Sequence, residues 1–174
     1  MRILTEIECR ELVKAVGLQP KQLENKQWPV LPGKSQFLIR LDGHRPPAST
    51  AMARRLAGWL SRTKTCLVWM TEWGIFPSNE DWPLLRKLRQ KAGDERGLQE
   101  APGQVFGADE NGELASFLDL VIRSGWGGHI LAVRASVYMF ISHDEFVHVE
   151  CRSGTDRGRI RSDLKRSSLR YQEA

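Results

Sequence analysis

Glu72 is the carboxylate that this sequence places best for chemistry. It closes an apolar run, Leu67-Val68-Trp69-Met70, of the kind a strand buried on both faces needs, and Trp73, Gly74, Phe76, Pro77 and Ser78 follow it. Open α/β sheets bind ligands outside the carboxyl ends of their strands, so Glu72 and Trp73 fall where such a sheet would put a site. By strand alternation Glu72 shares a face with Val68 and Met70, and a carboxylate on an apolar surface can act as general acid or base through a raised pKa. The competing role is structural, accepting backbone N–H groups at the start of a helix that opens at Asn79 to Asp81. The structural role is favoured, because no partner base, nucleophile or phosphate loop can be named beside Glu72.

Aromatic residues surround the same turn. Trp59 and Trp69 read as core, whereas Trp73, Phe76, Trp82 and Trp126 flank turns, where exposed aromatics mark a surface for a partner or ligand. Glu72, Trp73, Phe76 and Trp126 are therefore the residues assigned to partner binding.

A second concentration of reactive side chains is His143, Asp144, Glu145, His148, Glu150 and Cys151. Strand alternation puts Val147, Val149 and Cys151 on a core face and Phe146, His148 and Glu150 on the other. His148 and Glu150 could share a divalent ion with Asp144 or His143, but the spacing is neither that of a zinc finger nor of an HExxH helix. A solvent-facing polar hairpin is the favoured reading. A carboxylate-rich nuclease would want a lysine after Glu150, and Arg152 stands there instead. GxxxxGK[ST], GxGxxG and GxSxG are all absent, and Ser124-Gly125-Trp126-Gly127-Gly128 lies between a helix and a strand, the wrong order for a phosphate loop. The sequence thus assigns no catalytic residue, no cofactor and no metal.

The elements that must position these groups follow from periodicity. Thr5 and Glu8 have capping-box spacing, and Cys9, Leu12, Val13 and Val16 continue as a helical stripe closed by Gly17. A long connection, 18 to 35, carries Pro20, Trp28, Pro29, Pro32 and Gly33. Gln36 to Leu41 reads as a strand, Met52, Leu56, Trp59 and Leu60 as a helix, and Thr65 onward as the next strand. Two strands joined through a helix predict a right-handed parallel crossover. A further helix buries Leu84, Leu85 and Leu88, exposes Arg86, Lys87, Arg89 and Lys91, and ends at Gly93. After a second long loop, Asp94 to Glu110, the stripe Leu114, Phe117, Leu118, Val121 and Ile122 makes the best-defined helix, stopped by Gly125. His129 to Val133, Val137 to Ile141 and Glu145 to Cys151 are strands, the last two closing a hairpin. The fold class expected is α/β in the mixed α+β sense: a single domain, 1–151, with a mixed sheet of about five strands, flanking helices and a C-terminal β-hairpin, followed by a basic tail, 152–174.

Composition narrows the function classes. A chain of 174 residues is long enough to bury roughly 70% of its unfolded surface without staples. Its three cysteines, Cys9, Cys66 and Cys151, never form CxxC, which suits reduced thiols in a cytoplasmic compartment. No secretory leader or membrane span is read. The net charge is +5, and from Arg152 onward seven basic residues face three acidic ones, so the tail holds most of the excess. Such a tail can bind nucleic acid by releasing counterions, yet it lacks interleaved aromatics, and a solvated, flexible tail is favoured. The expectation is a non-enzymatic cytoplasmic interaction or accessory domain that docks another protein through its aromatic-rich loops, with no membrane association. The alternatives are a nucleic-acid-associated protein, as a metal-dependent nuclease, and a small-ligand sensor with its pocket beside Glu72 and Trp73.

Overall fold

The computed structural model describes residues 1–15, 17, 35–41, 43, 45–60, 64–72, 82–97, 99–133 and 137–173. The connection 18 to 34, the helix opening at Asn79 to Asp81, and Trp73 and Phe76 lie outside them. The described elements are β1 (Arg2–Leu4), α1 (Glu6–Ala15), β2 (Ser35–Arg40), α2 (Ala48–Leu60), β3 (Thr65–Glu72), α3 (Trp82–Lys91), β4 (Gly103–Gly107), α4 (Asn111–Arg123), β5 (Gly127–Val133), β6 (Val137–Ser142), β7 (Phe146–Cys151), α5 (Gly154–Lys165) and β8 (Tyr171–Glu173). They form a mixed α+β domain around one 8-stranded sheet in the order β1-β4-β3-β5-β6-β7-β2-β8.

Every neighbouring pair in that sheet is antiparallel, which corrects the expected mixed sheet of about five strands. β2 and β3 do run in the same direction, but β5, β6 and β7 stand between them, so α2 joins strands that never pair. A crossover through a helix fixes relative direction only. Adjacency was decided by the two consecutive antiparallel connections β5-β6-β7, whose hairpin pairing is local and fills the space between.

The C-terminal segment also differs from a flexible tail. Ser153 caps α5 by accepting from the N–H groups of Thr155 and Asp156, and Ile160 and Leu164 bury its inner face. β8 then pairs with β2 as the sheet edge. The basic residues are engaged in this: Arg157 and Arg161 both bind Glu173, and Arg159 binds Asp156. The segment folds because Ile160 and Leu164 bury against the core, and the Arg157 and Arg161 contacts to Glu173 add a weaker tie between α5 and β8.

The helices divide between the faces. Buried residues of α2, α3, α4 and α5 join Cys66, Val68, Met70, Ile130, Met139 and Val149 in the main core, whereas Cys9 and Val13 of α1 cover Leu67, Trp69, Leu131 and Tyr138 on the opposite face. The capping box at Thr5 and Glu8 forms, each residue accepting from the other's backbone N–H. On α3, Arg89 is buried and paired with Asp94, not exposed as its helical position suggested. The stripe on α4 behaves as read, with Leu114, Phe117, Leu118, Val121 and Ile122 all buried. Leu118→Ala is expected to lose roughly 2 to 5 kcal/mol of stability. Urea denaturation checks it, and a loss under about 1 kcal/mol would mean the stripe does not face the sheet.

Candidate functional site

Glu72 is placed by a bulge. The β3–β5 register runs Trp69↔His129 and Met70↔Gly128, then jumps to Glu72↔Gly127, leaving Thr71 unpaired in the ladder. The extra residue reverses alternation, so Glu72 leaves the face of Val68 and Met70 and joins that of Trp69 and His129. Gly127 confirms the direction, since a Cβ there would stand 2.5 Å from Glu72 Oε2 and 3.1 Å from Glu72 Cβ. The sequence expectation for the face of Glu72 is thereby corrected; a bulge costs one residue of register and carries no hydrophobic signature.

The carboxylate reaches the β6–β7 turn. His143 Nδ1 lies 2.6 Å from Glu72 Oε2, and because a carboxylate only accepts, Nδ1 carries the proton. On the other side His143 Nε2 is 3.3 Å from Asp144 Oδ1. The Glu72 and His143 side chains are 20% and 31% exposed, so the pair is fixed yet open to solvent at the end of the sheet. Gly127→Ala is expected to push the Glu72 carboxylate off His143 at a cost of about 1 to 3 kcal/mol. The ¹⁵N shifts of the His143 ring check this, and an unchanged Nδ1 signal would show that the carboxylate stays.

His148 does not join that pair. The strand registers set two rows across the face beneath α1. One reads Trp69, His129, Phe140, His148, Leu38, and the next Leu67, Leu131, Tyr138, Glu150, Gln36. The face expected to be a solvated hairpin surface is in fact closed over His148 and Glu150, 7% and 0% exposed, and open at its edge, where Leu38 is 40% exposed. The polar contacts on it are Tyr138 with His129 Nδ1 at 2.7 Å, Trp69 Nε1 donating to Glu6 at 3.2 Å, and His148 Nε2 with Gln36 Oε1 at 3.4 Å. Burial, and then the negative charge of Glu150, holds the Tyr138 hydroxyl protonated well above its ordinary range. Burial pushes the His148 imidazole down to about 4. Cys151 faces the main core, and burial raises it, Cys9 and Cys66 to about 12, leaving inert thiols.

The structure thus joins Glu72 to His143 and separates both from His148, Glu150 and Cys151. Among the described residues no three His, Cys, Asp or Glu side chains are grouped to hold a metal ion. Trp126 is fully buried in the main core, so it offers no exposed aromatic face. It sits there because α4 ends in a Schellman turn: Gly125 adopts φ +62°, its N–H reaches Ile122 O, and the N–H of Trp126 reaches Val121 O. Sequence reasoning missed Tyr138, His129 and Gln36 as members of these rows, and Glu6 of α1 as the acceptor of the Trp69 indole N–H. The signal for Tyr138 was present, since pairing Val137–Ile141 against Glu145–Cys151 across a short turn sets Tyr138 opposite Glu150. Comparison with family models, curated proteins and solved structures finds no match for this chain.

Proposed function

We propose that this chain is a cytoplasmic accessory domain that docks another protein through the end of the sheet where β3 emerges. Glu72, Trp73 and Phe76 are its contact residues, and Trp126 is a core residue one position before Gly127, the strand partner of Glu72. The observation that carries the reading is the Glu72–His143 pair, held at 2.6 Å and partly exposed immediately before the Trp73-Gly74-Ile75-Phe76 sequence. A bulge, a glycine without a side chain and a tight hairpin turn all act to hold one carboxylate in place. Such preorganised polar groups beside aromatic anchors give specificity and affinity at low entropic cost. The buried histidine, tyrosine and glutamate rows are oriented toward one another, which suits a structural role for them. The free, buried cysteines fit a reducing compartment. Among the described residues no helix is long and apolar enough to cross a membrane.

The test is affinity capture with the purified chain, followed by calorimetric titration of the partner so identified. Trp73→Ala should weaken that complex by about 2 kcal/mol or more while leaving the Tm unchanged. Glu72→Gln, which keeps the size and loses the charge, should weaken it less. A partner that binds both variants as tightly as the parent would remove this surface from the interface.

A further inference from the structure

A cleft of about 400 Å³ opens between α2 and α5, and neither Glu72 nor His143 lines it. Arg55, Arg159 and Arg166 line it with Gly58, Trp59 and Asp163, so three guanidinium groups surround one carboxylate. That carboxylate is already committed: Asp163 Oδ2 accepts from Trp59 Nε1 at 3.0 Å and lies 3.7 Å from Arg55 Nε. Arg159 is oriented by the C-terminal carbonyls of α2, donating to Gly58 O and Trp59 O, and by Asp156. This arrangement caps α2 and explains Arg159 structurally. It does not explain the other two. Arg166 is exposed and its side chain has no partner among the described residues. Arg55 Nη1 and Arg159 Nε are buried without an acceptor there. Three like charges around one opening are unfavourable even beside Asp163, and an anion in the cleft relieves that repulsion.

We propose that this cleft binds the phosphate group of a small phosphorylated molecule, held by Arg55 and Arg166 with Arg159 as the oriented third cation. A phosphate presents several acceptors to guanidinium forks, which match it bidentately. The cleft has the volume of a small-molecule site. Trp59 is only 4% exposed and spends its indole N–H on Asp163, so the cleft provides no stacking platform for the bases of a single strand.

The experiment titrates the full chain with inorganic phosphate, with ribose 5-phosphate and with a short oligothymidylate, at ionic strength held constant with chloride. Inorganic phosphate and ribose 5-phosphate should bind saturably, and Arg55→Ala and Arg166→Ala should each weaken binding about tenfold. Asp163→Asn keeps an acceptor for Trp59 Nε1 and removes the competing charge, so it should tighten binding, a gain that misfolding cannot mimic. Binding indistinguishable from chloride overturns the proposal, as does unchanged affinity in both arginine variants or weaker binding by Asp163→Asn. Oligothymidylate binding tighter than ribose 5-phosphate, and insensitive to these substitutions, would overturn it in favour of a polyanion surface elsewhere.

Discussion

Trp126→Ala is expected to cost about 3 to 5 kcal/mol, the range for removing a large aromatic from a packed core. Its side chain is 0% exposed and belongs to the same cluster as Phe117, Leu118, Ile130 and Met139. That cluster joins α4 to the sheet strands β5 and β6, and loss of a fully buried indole from it leaves a cavity in packed surroundings. Against a typical total of about 5 to 15 kcal/mol, that loss brings the fold near its threshold. Urea unfolding checks it, together with the near-ultraviolet circular dichroism of the variant. A loss under about 1 kcal/mol would mean that Trp126 is a surface residue after all. Trp73→Ala should differ: two tryptophans that look alike beside turns in the sequence should separate into one that holds the fold and one that holds the partner.

What the sequence revealed was the amphipathic part of the fold. α1, α2 and α4 each carry an apolar stripe, and β3, β6 and β7 carry apolar runs, so their existence and bounds were legible. The elements that escaped have little to bury. β1 and β8 are three residues long, and β4 is bounded by Gly103 and Gly107. α5 has two apolar side chains on its inner face and two glycines, and reads as a charged tail until Ser153 is seen to cap it. The candidate site was half legible for a related reason. Glu72 was singled out by its place at the end of a buried strand, but its face depended on a bulge, and its partner His143 was weighed beside His148 as a metal ligand, a reading that was not favoured. Strand alternation correctly paired His148 with Glu150. It could not say that this face is covered, because what covers a sheet is a tertiary fact.

That covering makes His148 a pH-sensitive element of stability. Burial holds its imidazole down to about 4 from an ordinary 6.5, whereas the unfolded chain binds the proton near the ordinary value. As pH falls from 6.5 toward 4 the unfolded state takes up a proton that the folded state refuses, so stability is complete above 6.5 and declines through that window. A shift of that size corresponds to about 3 kcal/mol. The Glu150 carboxyl group, 3.7 Å from Nδ1, favours the imidazolium when ionised and opposes part of the loss. Gln36, on the neighbouring strand, offers its carbonyl to Nε2 and carries no charge. The expected loss between neutral pH and the bottom of the window is therefore on the order of 2 kcal/mol. Asp94 and Glu173, each held to about 2 chiefly by hydrogen bonds from arginine, lose their contributions only at lower pH, mostly below 4.5. Urea unfolding free energies measured across the window should fall with pH in the parent chain, and the slope should flatten in His148→Gln. A flat parent profile, or an equal slope in the variant, would place that imidazole in water and reopen the face beneath α1 as a binding surface.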